Sequence, residues 1–290
     1  MFKRFAYCTV ILCLLACVAS AAELTLVGEG ALLNGAAAGD VPVAVKEGDR
    51  VQGPATVTTA AGDSIKVAKD SVLEVKAPDG ETELFFLLKG FARGEIGSKA
   101  SIALPAGWLT GSSEGKARFY VETIDPNRGF YQINEGQGLV SYGIYHIFLG
   151  ARQAVELGKK ENSDTLEFHT HQSNPGTVKI IAATRGALEL TLSVPKSTTG
   201  LLEQVEASEW TRVASDASSW QGGKIGIATM VDGRPGQAGS LGPGTFARIN
   251  NATGEIEFGF VDIDFQIVDR AISLTSEFAL LAVSNFFGLD

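Results

Sequence analysis

The chain has 290 residues and a formal net charge of −9 at pH 7, from 24 lysines and arginines against 33 aspartates and glutamates. Apolar residues make up 45% and charged residues 20%, the balance of a globular protein rather than a disordered one. The acidic excess argues against nucleic-acid binding, which requires clustered lysines and arginines. The sequence has no Walker motif and no G-x-G-x-x-G motif, so it predicts no nucleotide cofactor.

Residues 1–22 have the features of an export signal. Lys3 and Arg4 form a positive start, residues 5–22 carry no charge, and residues 19–21 are the small residues that a signal peptidase requires. We therefore expect cleavage at about residue 22 and a mature protein that is periplasmic or secreted.

Two alternatives for this segment remain open. Residues 14–17 (LLAC) resemble a bacterial lipobox, which would make Cys17 a lipidated first residue. Residues 5–22 also reach the lower end of the ~17–25 residues that span a membrane, so the segment could stay uncleaved as an anchor.

The chain has three cysteines, Cys8, Cys13 and Cys17, and all of them lie in this segment. Cleavage would leave the mature chain without cysteine, which excludes a disulfide framework, a cysteine zinc site and a cysteine nucleophile.

After the signal, short β-favouring runs alternate with turns of glycine, aspartate and proline about every ten residues. This spacing predicts a mostly β protein, built as a sandwich, roll or solenoid. Residues 83–88 (ELFFLL) form a continuous apolar run, which predicts a strand buried on both faces. Residues 201–208 are expected to form a short helix.

The polar stretch 158–164 is the predicted domain boundary. It divides a β domain at 23–158 from a second β-rich domain at 165–268, followed by an amphipathic helix at 269–290. Near the end, apolar residues occupy even positions at 256–260 and odd positions at 263–267. Because side chains of a strand alternate faces with a period of two, this change of phase predicts a bulge or turn in between.

Several segments occur in the order typical of one family of extracytoplasmic β domains. They are KEGDRV at 46–51, TTAAGDSI at 58–65, ASIALPAG at 100–107, YQINEGQGLV at 131–140 and GARQAV at 150–155. In this order of signals, residues 41–157 resemble the FecR domain family.

The resemblance implies a FecR-like β domain of the bacterial envelope that relays a signal or scaffolds through protein contact, without catalysis. It implies an envelope protein as partner and no cofactor. Membrane attachment is expected only if Cys17 is lipidated or the apolar segment stays uncleaved.

Aromatic residues suggest a second function, a carbohydrate-binding envelope module. Trp108 follows a proline and a glycine on an expected loop, and Tyr142 is one of the tyrosines that could join it in a sugar-stacking surface. Aromatic rings on a surface can stack against sugars, although packing in the core is their commoner use. A polysaccharide is therefore an alternative partner.

A third function, metal-dependent catalysis, is suggested by His169 and His171. On a strand both imidazoles would project from one face, and Glu167 would complete a set of two histidines and a carboxylate. The histidines could equally be surface residues near a turn. The motif G-x-S-x-G at residues 111–115 precedes a strand rather than a helix, so we expect an exposed loop and not a hydrolase nucleophile.

Overall fold

A computed structural model describes residues 24–27, 30–38, 42–76, 83–159, 165–172, 177–183, 188–194, 198–205, 209–215 and 224–260. All regular secondary structure in these residues is β-strand, which confirms the mostly β prediction. No helix long and apolar enough to cross a membrane occurs within them. The strands are β1 (Leu24–Val27), β2 (Leu32–Leu33), β3 (Ala36–Ala37), β4 (Val43–Val45), β5 (Arg50–Gln52), β6 (Ala55–Thr58), β7 (Ser64–Val67), β8 (Val72–Lys76), β9 (Glu83–Ile96), β10 (Ala100–Leu104), β11 (Gly107–Gly111), β12 (Ala117–Asp125), β13 (Arg128–Glu135), β14 (Gly138–Tyr142), β15 (Tyr145–Leu149), β16 (Gln153–Lys159), β17 (Leu166–Gln172), β18 (Val178–Ala183), β19 (Leu188–Val194), β20 (Thr199–Val205), β21 (Trp210–Ser215), β22 (Ile225–Val231), β23 (Arg234–Leu241), β24 (Thr245–Asn250) and β25 (Ile256–Phe260).

The strands form two long sheets that share β9. Sheet A has the order β4-β1-β6-β7-β9-β12-β13-β16-β17-β20-β21-β24-β25. Sheet B has the order β3-β2-β5-β8-β9-β10-β11-β14-β15-β18-β19-β22-β23. All of these pairings are antiparallel except β9 with β10, which is parallel.

Strand β9 belongs to sheet B in its first half and to sheet A in its second half. Residues 84–89 pair with β8, whereas residues 90–96 pair with β12. The change occurs at Gly90, whose φ of +80° favours glycine. A Cβ added at Gly90 would lie 2.2 Å from the Oγ of Ser71, and the same hydroxyl accepts a hydrogen bond from the backbone N–H of Phe91 at 3.0 Å.

After β9 the chain adds one hairpin to each sheet in turn. The hairpin β10-β11 lies in sheet B and β12-β13 in sheet A, and the alternation continues through β24-β25 in sheet A. From β14 onward, the first strand of each hairpin pairs with the last strand of the previous hairpin in the same sheet. The two sheets therefore grow together in one direction.

The inner faces of the two sheets enclose one continuous apolar core. Side chains from the two sheets meet there: the hydroxyl of Tyr131 in sheet A donates a hydrogen bond to the carbonyl of Ala106, between two strands of sheet B, at 3.1 Å. Burial raises the pKa of Tyr131 well above its ordinary value. The largest fully buried side chains are Phe85, Phe119, Tyr131, Phe168, Ile65, Leu73, Leu87, Ile96, Ile102, Leu109 and Ile133.

Two predictions are wrong in detail. Residues 201–205 of the predicted helix 201–208 are strand instead: residues 199–205 form β20, because β17 and β21 offer backbone hydrogen bonds on both of its sides, and residues 206–208 lie outside the described residues. The run 83–88 is a strand, but it is not buried on both faces. Only one side of that strand faces the core, so Leu87 is fully buried while Leu88 is 36% exposed.

At the predicted domain boundary, β16 and β17 pair directly, from Gln153 opposite Gln172 to Lys159 opposite Leu166. Both sheets continue on either side of it. The signal segment 1–22, the change of phase between residues 260 and 263, and the helix at 269–290 lie outside the described residues.

The neighbouring leucines of β9 provide a matched test of the core. Leu87→Ala removes a fully buried side chain, and we expect it to lower the free energy of unfolding by about 2–5 kcal/mol. Leu88→Ala removes the same atoms from the partly exposed side and should cost far less. Denaturant unfolding of both variants measures the difference, and equal losses would contradict the assignment of the inner face.

Candidate binding surface

The outer face of sheet A is rich in charge. Arg118 forms ion pairs with Glu95 at 3.1 Å and with Glu135 at 2.9 Å. Arg128 likewise contacts Glu156 at 3.0 Å and Glu167 at 3.3 Å. These pairs link neighbouring strands across a surface that is suited to contact with water.

Aromatic rings run through this charged face. The ring of Tyr120 lies 5.6 Å from Phe91 and 6.0 Å from Phe130, and Phe130 lies 5.3 Å from His171. The hydroxyl of Tyr120 donates a hydrogen bond to Glu122 at 2.7 Å. Burial, together with this carboxylate, raises the pKa of Tyr120 to about 12. The rings pack tilted or edge-on against one another, so they cover the sheet instead of offering flat faces.

The outer face of sheet B has a different composition. From β11 to β23, two adjacent rows of side chains cross seven strands, and they contain one lysine, one histidine and no carboxylate or arginine. Because Lys179 is their only lysine and they have no arginine or carboxylate, we call these two rows the uncharged face. The first row is Trp108, Ser141, His146, Ile181, Thr191, Ala228 and Ala238, and the second is Thr110, Leu139, Phe148, Lys179, Ser193, Gly226 and Ser240.

The large apolar side chains of the uncharged face lie in contact with solvent. Trp108 is 40% exposed and Phe148 is 43% exposed, and Leu139 and Ile181 are partly exposed. Polar groups of this face contact neighbouring side chains within it. The Oγ of Ser141 lies 3.1 Å from Nδ1 of His146, and Nζ of Lys179 lies 5.9 Å from the centre of the Phe148 ring. Such a surface can bind an apolar partner at little desolvation cost.

The two residues of the predicted aromatic surface lie on opposite sides of sheet B. Trp108 lies on strand β11 and not on the expected loop, because residues 107–111 pair with β10 and β14, and it projects outward opposite Ser141. Tyr142 follows Ser141 and packs toward the core, where its ring is stacked on Tyr145 with centroids 6.5 Å apart. Trp108 is therefore available at the surface, whereas Tyr142 is part of the interior at the end of a hairpin.

The predicted metal residues lie together on β17, on the outer face of sheet A. The rings of His169 and His171 are 4.4 Å apart, and Nε2 of His171 lies 3.6 Å from Glu156. Glu167 shares the face but is paired with Arg128. Among the described residues, no group of three or more His, Cys, Asp or Glu side chains is arranged to hold a metal ion.

The motif at residues 111–115 lies where the chain passes from β11 in sheet B to β12 in sheet A. Ser113 is exposed in this connection, and a strand follows it instead of a helix. The region therefore lacks the strand-to-helix turn that a serine nucleophile of this type requires.

A pair of acidic residues at the junction of the sheets was not predicted from the sequence. Asp63 is almost fully buried, accepts a hydrogen bond from the backbone N–H of Gly97 at 3.0 Å and lies 3.3 Å from Lys116. Burial raises the pKa of Glu83, and the negative charge of Asp63 raises it further. The fixed partners of Asp63 tie the β6-β7 turn to the end of β9, which is a structural role.

A comparison with protein-family models finds no match, and comparisons with curated proteins and with solved structures find none either.

The raised pKa of Glu83 predicts how stability depends on pH. The pKa of Glu83 is near 4.5 in the unfolded chain and higher in the folded protein, so the folded state binds the carboxyl proton more tightly. The free energy of unfolding therefore falls as pH rises from 4.5 through the folded pKa of Glu83. Glu83→Gln should therefore be more stable than the wild type at pH 7, and the difference should vanish below pH 4.5.

Thermal unfolding across this pH range measures the effect. Glu114→Gln, in the exposed turn after β11, removes the same charge and serves as the control. A difference in melting temperature between Glu83→Gln and the wild type that stays constant with pH would contradict the prediction.

Proposed function

We propose that the protein is an exported, non-catalytic binding or scaffold protein of the bacterial envelope, and that the uncharged face holds its protein partner. The observation that carries this proposal is the contrast between the two outer faces. Both are made by strands of the same two-sheet fold, yet ion pairs link the strands of one, whereas the two rows of the uncharged face on the other contain no carboxylate.

A sheet face in contact with water usually carries polar and charged side chains. Protein interfaces are instead depleted of charge at their centre and enriched in aromatic residues. The uncharged face fits the second description, because Lys179 is its one lysine, it has no carboxylate, and Trp108 and Phe148 are exposed on it. We assign these two residues as the anchors of the contact.

The resemblance to the FecR family supports the same proposal. Its span, residues 41–157, includes the strands that carry Trp108, Leu139 and Phe148. The resemblance implies an envelope domain that acts through protein contact, and the export signal at residues 1–22 supports that location.

The experiment is cross-linking in the native envelope, followed by affinity purification of the tagged protein. We expect one envelope protein to be recovered in near-equal amount. Phe148→Ser should reduce that recovery at least tenfold, because truncating an interface anchor costs about 2 kcal/mol or more.

The control is Phe91→Ser. Phe91 is 39% exposed against 43% for Phe148, and it lies on the outer face of sheet A. It should leave recovery unchanged. Equal loss of the partner in both variants, or recovery of the tagged protein alone, would contradict the proposal. Retention of the protein on polysaccharide that depends on Trp108 would favour a carbohydrate-binding module instead.

A further inference from the structure

The uncharged face carries one lysine, and that lysine stands beside one of the two anchors. Lys179 of β18 lies directly opposite Phe148 of β15, and its Nζ is 5.9 Å from the centre of the Phe148 ring. Three strands of the face lie on each side of β18, so the ammonium group is midway along its row. A partner that covers the Phe148 ring therefore also meets Lys179.

No carboxylate of the described residues neutralises this lysine. Lys179 forms no ion pair within them, and its neighbours across the sheet, Phe148 and Ser193, are not acidic. The outer face of sheet A shows the opposite arrangement, because Arg118 and Arg128 each contact two or more carboxylates. The positive charge of the uncharged face is therefore left to solvent or to a partner.

In the free protein the ammonium group needs no counter-charge, because Lys179 is exposed and water solvates it. The contact with the Phe148 ring adds little at an exposed site. A partner seated on Phe148 displaces that water. A charge buried without a counter-charge is strongly unfavourable, whereas a carboxylate of the partner replaces the lost water as a hydrogen-bond acceptor.

We propose that the partner of the uncharged face presents an aspartate or glutamate carboxylate to Lys179, within a contact surface that is otherwise uncharged. This inference rests on the proposed function and specifies the chemistry of the partner. The other positions of the two rows hold no lysine, arginine, aspartate or glutamate, so one acidic residue is sufficient.

The charge of the whole chain makes this complementarity selective. The formal net charge is −9 at pH 7, which disfavours contact with an acidic protein over most of the surface. On the uncharged face Lys179 favours an acidic residue at one point, next to Phe148. A single charge pair of this kind fixes the orientation and register of a partner more than it adds affinity.

Zero-length coupling in isolated native envelopes tests the proposal. A water-soluble carbodiimide joins a lysine amine to a carboxylate as an amide where the two groups are in contact, and the reagent takes up the released water as a urea. We expect a peptide that contains Lys179 to be joined to an acidic residue of one other envelope protein. Mass spectrometry of the digested product identifies both residues.

Lys66 is the matched control for this coupling. It is an exposed lysine within β7, on the outer face of sheet A, where it lies opposite Thr56 and Arg93. Its amine is open to the same reagent, but the proposal places no partner there. Lys66 should therefore be joined to no other protein.

Substitution of Lys179 gives an independent measurement. Lys179→Glu should lower recovery of the partner at least tenfold, because two carboxylates would then face each other. Lys179→Arg keeps the positive charge and should retain the partner, although it removes the amine that the carbodiimide couples. Lys66→Glu makes the same reversal of charge on the outer face of sheet A and should leave recovery unchanged.

Three results would overturn the proposal. The first is recovery of a partner by a longer cross-linker that joins lysine to lysine, without carbodiimide coupling at Lys179, and this result would leave the proposed function standing. The second is equal recovery of the partner with Lys179→Glu and with the wild type. The third is coupling of Lys179 only to an acidic polysaccharide or to a second copy of this chain. Recovery of no partner with either reagent would overturn the proposed function as well.

Discussion

The passage of β9 from one sheet to the other is the constraint on which the architecture depends. Gly90 takes a backbone conformation that other residues rarely adopt, and it does so against Ser71, where a side chain would collide. Because β9 pairs with β8 and β10 in sheet B and with β7 and β12 in sheet A, it fixes both sheets in register with each other. Each later hairpin then extends a sheet whose position is already set.

The two outer faces differ in chemistry, although the same arrangement of strands builds both. Every strand buries alternate side chains between the sheets, so the remaining side chains of each strand must face outward. In sheet A they carry paired charges, such as those of Arg118 and Arg128. In sheet B they include Trp108 and Phe148 without nearby carboxylates on the same two rows. The core stabilises both sheets alike, so core packing does not explain this difference.

Local patterns predicted much of the strand content and little of the topology. The period of two places His169 and His171 on one face, as the structure has them. The same period says which side of a strand is inward but not which sheet the strand joins, so the alternation of hairpins could not be predicted. Tyr142 shows the limit: it looked like a partner of Trp108, yet it faces the core because neighbouring residues of a strand point to opposite sides. The buried Asp63 was also missed, since its partner Gly97 lies 34 residues away.

We propose that the uncharged face is covered by another protein in the envelope, while the outer face of sheet A stays in contact with water. Hydroxyl-radical footprinting tests it without any substitution, by comparing the tagged protein in intact envelopes with the purified protein. We expect Trp108, Leu139 and Phe148 to be oxidised several-fold more slowly in the envelope, and Phe91 and Tyr120 to be oxidised at the same rate in both samples. Equal oxidation of Trp108 and Phe148 in both samples, or protection of the sheet A residues instead, would contradict it.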